Sequence, residues 1–558
     1  MRITAIEIEN FKGISERVRV DLKPITLLFG ANSAGKSTIL HALLYMKDVL
    51  ERRNLDAITT PVSGRALDLG GFRNFVHGQD LNRTVRIALF MDLTGGELPK
   101  MAPTYDLPSA LSKAAESRVE QLYRRQSVIL DSIQSTKVEI EVRWDGESRK
   151  PVAFAYTVGL NGSDLIRIER ESEELKVAKF DWCNAAVSRP PTDEERQARS
   201  WNLAEDREST PEEQNAAISS LPDILPRFYK NGSGFLGLKK NWLRKHQDPI
   251  PDFSVKESLN LPEADSDFEQ RRGDYESFDL DYIEIAKMRA WEGTAFLARL
   301  IFGPGKLVQD WLQGLRYIGP LRARPPREST PSGELSDWSE GLAAWKALES
   351  EGNSSELIDQ VSQWLAGNDR LNSGYKLERK HLAQVDADAF QNAVDGDLDR
   401  ARLLDLLNEA PKSTQIKLLE TRTGLKLDPS DVGVGVSQVL PIVVGAVVPG
   451  GSVVAIEQPE LHIHPAMQVA LGDLFIEGVA KPGMSFLIET HSEHLILRLM
   501  RRIREGRVNP SQIGVVFVEP VQGRRRFVEL GIDKDGDFID EWPGGFFEES
   551  FREKFSGR

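Results

Sequence analysis

The chain has 558 residues, a formal net charge of −14, and a composition that is 40% hydrophobic and 28% charged. At roughly 150 residues per domain, this length predicts about three to four domain-sized units, and the composition excludes a disordered or collagen-like protein. The acidic excess argues against a protein that coats nucleic acid, because such binding needs clustered Lys and Arg, although a local basic surface stays open.

A single cysteine, Cys183, has no partner for an internal disulfide, which favours a reducing compartment. No apolar run approaches the roughly 20 residues of a membrane span, and the N-terminus alternates instead of forming a signal sequence. We therefore expect a cytoplasmic protein with no membrane partner.

The N-terminal part of the chain is rich in strand patterns. Residues 2–9 and 18–22 alternate apolar and polar side chains, and 25–30 is a continuous apolar run, typical of a buried strand. A helical period follows from Ser37 to about Leu50. Further strands with hairpin turn signals are predicted at 85–91, 138–144, 152–160 and 165–168.

The composition changes after residue 182. The stretch 251–285 contains 11 Asp+Glu but only three Lys+Arg, which indicates a solvated acidic insertion, either a plain surface or one that binds a partner. A helical pattern resumes at about 286, and a strand at 317 precedes a Pro-rich turn.

In the C-terminal part, a mainly helical and polar stretch covers 338–410, before a strand at 416–428. Three buried-strand patterns at 451–460, 484–492 and 514–520 are separated by helix patterns, which predicts an α/β layer with parallel strands. The predicted divisions are an N-terminal part of a head, an acidic mainly helical insertion, a helical subdomain, a C-terminal part of the head and a short last domain, at 1–182, 183–315, 316–415, 416–520 and 521–558.

The first chemical motif is a phosphate loop. Gly30 to Ser37 fit G-x-x-x-x-G-K-[ST] between an apolar strand and a helix, where the motif needs to lie. Backbone N–H groups of such a loop surround phosphate oxygens, Lys36 reaches the β- and γ-phosphates and Ser37 ligates Mg²⁺. The predicted nucleotide-binding residues are Asn32, Ser33, Ala34, Gly35, Lys36, Ser37 and Thr38.

The second motif is the end of a buried strand at Glu457 and Gln458. A strand that holds the Mg²⁺ shell usually ends in aspartate followed by the glutamate that polarises the attacking water. Glu457 can still reach Mg²⁺, but Gln458 cannot accept a proton. Glu460 is the nearest spare carboxylate, so either slow hydrolysis or a base role for Glu460 is expected.

Two further motifs complete the set. His491 follows another apolar strand and is predicted to meet the γ-phosphate from the side opposite the loop. The turn at 433–438 contains Gly435, Ser437 and Gln438 and leads into an apolar helix, whose N-terminus favours an anion.

These motifs, together with Ile6-x-Ile8-x-Asn10-Phe11-Lys12-Gly13-Ile14, resemble ABC-type ATPases related to chromosome-maintenance, RecF-type and overcoming-lysogenisation-defect proteins. The ending Trp542-Pro543-Gly544-Gly545-Phe546-Phe547 is similar to that of bacterial AAA-domain ATPases with a short C-terminal domain of unknown function. The resemblance implies an α/β fold: an ABC-type P-loop NTPase head with an antiparallel β subdomain and a helical, acidic insertion.

The resemblance also implies an ATP sandwich, in which the loop of one subunit meets the 433–438 turn of the other. It implies ATP and Mg²⁺ as cofactors, a homodimer or higher even oligomer, catalytic roles for Glu457, Gln458, Glu460 and His491, and metal contacts from Ser37, Glu457 and Gln79. The expected function is a nucleotide-driven dimeric switch in bacterial anti-phage defence with a separate protein effector. A DNA-maintenance or repair ATPase, with DNA as a partner, and a hydrolysis-poor ATP-bound scaffold are the alternatives.

Three other patterns are explained by local structure and need no ligand. The Asp533, Asp535 and Asp537 run predicts a hairpin turn, and His462 with His464 a structural turn after the strand. The arginines at 498–507 predict a solvated helix face, with nucleic-acid contact as the alternative.

Overall fold

The computed structural model describes residues 1–52, 55–56, 68–100, 120, 123–124, 126–171, 174–181, 184, 276–324, 338–350, 355–388, 390–391, 400–521 and 524–545. Cys183 and most of the predicted acidic insertion lie outside these residues. Among the described residues, no helix combines the length and apolar character that crossing a membrane requires.

The elements follow one another as β1 (Arg2–Glu9), β2 (Val18–Asp21), β3 (Ile25–Gly30), α1 (Ser37–Lys47), α2 (Phe72–Phe75), β4 (Val85–Asp92), β5 (Ser135–Asp145), β6 (Lys150–Leu160), β7 (Ser163–Glu171), β8 (Glu174–Phe180), α3 (Glu276–Gln313), β9 (Leu315–Ile318), α4 (Leu342–Glu349), α5 (Ser355–Ala366), β10 (Tyr375–Ala383), α6 (Arg400–Glu409), β11 (Lys412–Glu420), β12 (Lys426–Leu427), α7 (Val434–Val447), β13 (Val453–Glu457), α8 (Pro465–Val479), β14 (Ser485–Glu489), α9 (Glu493–Arg504), β15 (Ile513–Val521) and β16 (Arg524–Leu530).

The described residues form two compact units. The first lies within Met1–Val20, Tyr45–Ala57 and Leu69–Gln313, and the second within Asp21–Leu44, Ile58–Asp68 and Gly314–Arg558. The segment with the phosphate loop therefore belongs to the same unit as the C-terminal strands, although hundreds of residues separate them in sequence. The five predicted domain boundaries stay predictions.

The first unit is built on a seven-stranded sheet in the order β2-β1-β4-β5-β6-β7-β8, and the pairs from β1–β4 through β7–β8 are antiparallel. Alternation places Ile6 and Ile8 among the buried side chains of β1. Asn161 and Gly162 both have positive φ angles, 49° and 87°, as the tight turn between β6 and β7 requires. The predicted strands of the N-terminal part are confirmed.

The second unit contains a six-stranded sheet in the order β16-β15-β3-β14-β13-β9. All neighbouring pairs from β15 to β9 are parallel, and β16 is an antiparallel edge strand. Every residue of β3, β13 and β14 is buried, as expected for strands covered on both faces. The predicted α/β fold with an antiparallel β subdomain is confirmed, while most of the predicted acidic insertion lies outside the described residues.

The core of the second unit is centred on α7, whose residues from Val436 to Val447 are all buried. The helices α4 and α5 add Trp345 and Trp364 to the same apolar cluster.

One region differs from its helical prediction. Within 316–415 the strand β10 pairs antiparallel with β11, and both belong to a three-stranded sheet with β12. Four of the nine residues of β10 are charged, and Leu377 is its only buried residue. The alternation of a strand is therefore hardly visible there.

Candidate functional site

The phosphate loop connects β3 to α1 in the geometry that its glycines require. Gly30 has φ 143°, and a Cβ atom at this position would lie 2.2 Å from the carbonyl oxygen of Val518. Gly35 has φ 100°, a conformation that side chains rarely adopt. Asn32 and Ser33 are exposed, while Ala34 and Thr38 are buried. The loop thus presents its backbone at the N-terminus of an 11-residue helix, where an anion is favoured.

Lys36 is buried at the base of the loop, with 3% of its surface exposed. Its Nζ donates hydrogen bonds to the carbonyl oxygens of Gly30, at 3.1 Å, and Ala31, at 3.0 Å. The same Nζ lies 3.6 Å from Oε1 of Glu489. Burial lowers the pKa of Lys36, and the nearby carboxylates oppose that shift. Protein atoms therefore replace much of the water that would otherwise surround the Lys36 ammonium group.

Two carboxylates lie side by side at the ends of neighbouring parallel strands. Glu457 of β13 is paired in register with Glu489 of β14. The Ser37 hydroxyl donates to Oε2 of Glu489 at 2.5 Å, and the Tyr317 hydroxyl donates to Oε1 of Glu457 at 2.9 Å. His41 Nε2 lies 3.4 Å from that same Oε1. Burial raises the pKa of Glu489, and the negative charge of Glu457 raises it further.

This donor set fits a hard divalent cation next to a phosphate. Mg²⁺ is usually bound through one or two carboxylates together with phosphate oxygens, rather than by a cage of protein ligands. Among the described residues, no group of three His, Cys, Asp or Glu side chains could hold a metal alone. The Ser37 hydroxyl and the paired carboxylates supply oxygen atoms and negative charge that a bound cation would neutralise.

The segment after β13 contains an unusual backbone conformation, at Gln458, and a carboxylate with both oxygens hydrogen-bonded, that of Glu460. Gln458 has φ 45°, and its backbone N–H donates to the carbonyl oxygen of Glu489 at 2.8 Å. Both oxygens of the Glu460 carboxylate accept hydrogen bonds, from the Thr490 hydroxyl at 2.7 Å and the His491 N–H at 2.8 Å. Glu460 therefore braces the segment that follows β14, whereas Gln458 ends the strand that carries Glu457.

His491 follows β14 and lies in the same unit as the loop. Burial lowers the pKa of His491, and the charge of Lys36 lowers it further. The imidazole is consequently neutral at pH 7, with both a donor and an acceptor nitrogen.

The depressed pKa of His491 predicts a pH effect on stability. Its ordinary value is 6.5, and the folded value is lower. The unfolded chain therefore takes up the proton first as the pH falls, so the contribution is full above about 6.5 and is lost below it. Between pH 7.5 and 5.5, urea denaturation should show a larger loss of unfolding free energy in the wild type than in His491→Gln. Parallel losses in the two proteins would contradict this assignment.

The 433–438 turn opens α7. Gly433 and Val434 are exposed, and a Cβ atom at Gly433 would meet nothing within 4 Å. Ser437 is buried and donates to the carbonyl oxygen of Val434 at 2.8 Å, while the Gln438 amide is bonded to the backbone of Arg322. The open surface of this helix end is thus formed by its first residues, and nucleotide contacts by Gly435, Ser437 and Gln438 stay predictions.

Gln79 is exposed in a short 3₁₀ turn of the first unit, and its metal contact also stays a prediction. The other patterns have structural roles. Asp533 accepts from the backbone N–H groups of residues 535 and 537, which confirms a turn, and His464 caps the N-terminus of α8. In α9, Arg502 binds Asp473 and Glu505, so part of this basic face is neutralised within the chain.

Sequence reasoning missed several residues around the carboxylates. Glu489 stands directly before the Thr-His-Ser segment, and its strand-end position is the signal that could have found it. Tyr317 and His41 carry no motif of their own. They reach Glu457 because β9 pairs with β13 and because α1 begins at the loop.

Comparisons with known proteins agree with this geometry. Residues 1–92 match a family model described as an AAA ATPase domain. Residues 334–498 match one described as an AAA domain, putative AbiEii toxin, type IV toxin–antitoxin system. Among curated proteins, none matches the chain significantly. The phosphate loop, the parallel sheet and the two matches support an ATPase of the AAA type.

Solved structures similar to this chain include heads of SMC proteins. One is an SMC head bound to the C-terminal winged-helix domain of ScpA, at 11% identity and TM-score 0.35, with 96% of this chain and 99% of that chain covered. The Pyrococcus furiosus SMC head with an extended coiled coil, bound to the C-terminal domain of ScpA, has 12% identity, TM-score 0.34 and coverages of 95% and 96%. The Thermotoga maritima SMC head has 9% identity, TM-score 0.35 and coverages of 96% and 100%. Likenesses of this size do not assign a function.

Proposed function

We propose that the protein binds ATP with Mg²⁺ at the phosphate loop and hydrolyses it slowly. The observation that carries this proposal is the convergence of Lys36 and Ser37, from the loop, on the paired strand-end carboxylates Glu457 and Glu489. A P-loop ATPase needs a cation for the transferring phosphoryl group and an acidic strand end for the metal, and both are present.

Each side chain has a defined task in this proposal. With nucleotide bound, Lys36 would exchange its contacts with the Gly30 and Ala31 carbonyl oxygens for phosphate oxygens, and Ser37 and Glu457 would hold the metal. When bound, Mg²⁺ neutralises charge that develops on the phosphoryl oxygens. Glu489 restrains Lys36 and Ser37, and Tyr317 restrains Glu457.

Slow hydrolysis follows from Gln458. An amide orients water but cannot take its proton, and a general base typically contributes about 10² to 10⁴ in rate. Because Glu460 accepts hydrogen bonds on both oxygens from the His491 segment, we infer that it positions this segment and that Gln458 occupies the water-polarising place.

We further propose that ATP joins two chains in a two-fold pair, as the resemblance to ABC-type ATPases implies. The exposed Gly433 and Val434, at the N-terminus of a 14-residue helix, offer N–H groups and partial positive charge to the nucleotide of a second chain. Binding and release of ATP would then switch the pair between two states.

Gly433→Glu tests this pairing without disturbing the fold, because the new side chain has open space. A carboxylate facing the partner's phosphates should weaken ATP-dependent dimers by about tenfold or more, since like charges at an interface are strongly unfavourable. The mass in solution, measured by light scattering with ATP and Mg²⁺, should fall to that of a monomer. Gly433→Ala is the matched control and should dimerise. Equal dimerisation of both variants would contradict the pairing through this turn.

The biological setting that we propose is bacterial anti-phage defence in the cytoplasm, with a separately encoded effector, and it rests on the family resemblance alone. DNA maintenance is the second candidate, since the same motifs resemble those of chromosome-maintenance ATPases. ATP-dependent duplex binding that weakens steeply with salt would favour DNA maintenance. Co-purification of a neighbouring gene product that responds to ATP would favour an effector.

The third alternative is a scaffold that binds ATP without turning it over. Hydrolysis of radiolabelled ATP by the pure protein, compared with that by Lys36→Ala, distinguishes this scaffold from an ATPase that turns ATP over. Nucleotide binding without any Lys36-dependent product would favour the scaffold.

A further inference from the structure

Arg322 is a buried cation in the segment after β9. It lies beside the catalytic strand end, which is the end of β13 at Glu457 and Gln458. Only 4% of its surface is exposed. Its Nη2 donates to the carbonyl oxygens of Glu457 at 2.6 Å and Gln458 at 3.3 Å. The side chain thus binds the carbonyl oxygens that precede and follow the Cα atom of Gln458, the residue proposed to polarise water.

The backbone of Arg322 is in turn held by the helix that follows the 433–438 turn. The Arg322 N–H donates to Oε1 of Gln438 at 3.2 Å, and Nε2 of Gln438 donates to the Arg322 carbonyl oxygen at 2.6 Å. Both hydrogen bonds are buried. A continuous chain of polar contacts therefore runs from the first turns of α7, through Arg322, to the end of β13.

The end of β13 needs such support. Gln458 is a non-glycine residue with φ 45°, in the left-handed region that costs energy for an L side chain. Its N–H is fixed by the Glu489 carbonyl oxygen, and its own carbonyl oxygen by Arg322. Both contacts come from the single Nη2 atom at the end of a rigid guanidinium, so they depend on the reach and planarity of the arginine side chain, which a lysine does not reproduce.

The rest of the Arg322 guanidinium is buried as well. Its Nε and Nη1 are buried and have no hydrogen-bond partner within the described part of the chain. Burial lowers the pKa of Arg322 to about 10, so the guanidinium stays charged at pH 7, and Glu460 and Glu457 favour that charge. Buried polar atoms without partners are rare in folded proteins and call for an explanation.

We propose that Arg322 is a positioning residue that couples the 433–438 turn to the catalytic strand end, so that engagement of the turn sets the geometry of Gln458. This inference rests on the proposed ATPase function, because it concerns how the same site is regulated. Arg322 touches neither nucleotide nor water in this role; it acts through the Glu457–Gln458 backbone.

Arg322→Lys tests the coupling against a closely matched control. Arg316, on β9, is also buried, and donates to the carbonyl oxygens of Gly445, Val448 and Pro449 at the far end of α7. Burial lowers the pKa of Arg316, also to about 10. Both Lys variants should lower the thermal midpoint, but only Arg322→Lys should lower kcat.

The expected loss in kcat is about 10- to 100-fold, with ATP affinity changed less than about threefold, because misplacement of a reacting group affects turnover rather than ground-state binding. Arg316→Lys should keep kcat within about twofold of the wild type. If Arg322→Lys fails to fold, Gln438→Ala breaks the same link from the helix and should lower kcat to a similar extent.

The double variant Arg322→Lys/Gln438→Ala should be no slower than the slower single variant, because each breaks one link. Unchanged kcat in Arg322→Lys, or losses that add in the double variant, would overturn the coupling while leaving the ATPase intact. A wild type without Lys36-dependent turnover would overturn the proposed function, and this inference with it.

Discussion

Lys36→Ala should lower ATP turnover by about 10²- to 10³-fold, since it removes a preorganised charge that faces the transferring phosphoryl group. The structure makes this loss specific, because Lys36 is buried against the loop carbonyls and Glu489 and no neighbouring lysine takes its place among the described site residues. Hydrolysis of radiolabelled ATP measures the turnover, and the affinity for a fluorescent ATP analogue measures nucleotide binding.

Lys23→Ala is a suitable control for this variant. Lys23 lies just before the other end of β3, where it pairs with Glu529, so its loss removes a partly exposed ion pair of the same sheet. Its turnover should match that of the wild type. If Lys36→Ala kept both turnover and affinity, the phosphate-loop assignment would be wrong.

Gln458→Glu should raise turnover by about tenfold or more, because it supplies a carboxylate at a position where the amide can only orient water. The substitution keeps the shape of the side chain and all backbone contacts of residue 458. Glu457→Gln should have the opposite effect and weaken Mg²⁺-dependent turnover, since it removes a charge from the metal shell. Single-turnover rates measure both.

Glu460→Gln separates the two roles open to that residue. As a brace for Thr490 and His491 it should lower turnover by about tenfold, without preventing the gain from Gln458→Glu. If Glu460 were the base, its amide variant would remove turnover, and Gln458→Glu would bring no gain. Brisk hydrolysis that is insensitive to positions 458 and 460 would place the catalytic strand end elsewhere.

The parts of the site that depend on local sequence could be predicted from it. The phosphate loop is a run of eight residues whose glycines, strand and helix are contiguous, so its conformation follows from nearby residues. The buried strands β13 and β14 were evident because an apolar run bounded by turns is their usual pattern.

The parts that depend on distant contacts could not be predicted. Ser37 and Glu489 are 452 positions apart, and Tyr317 reaches Glu457 across 140 positions through the pairing of β9 with β13. Arg322 sits in a Pro-rich segment with no motif, and its role depends on the approach of α7 and β13. The strand β10 was missed for a related reason, since its pairing with β11, rather than its own apolar pattern, defines it.

Mixing Lys36→Ala with Gly433→Glu tests the central claim most directly. Each variant alone lacks one half of every shared site, but a mixed pair contains one intact site, built from the Gly433→Glu chain's loop and the Lys36→Ala chain's turn. Because a mixed pair holds one working site out of two, turnover should rise clearly above the sum of the two separate variants, to at most about half of the wild-type rate. Turnover no greater than the sum of the two separate variants would contradict a site shared between two chains.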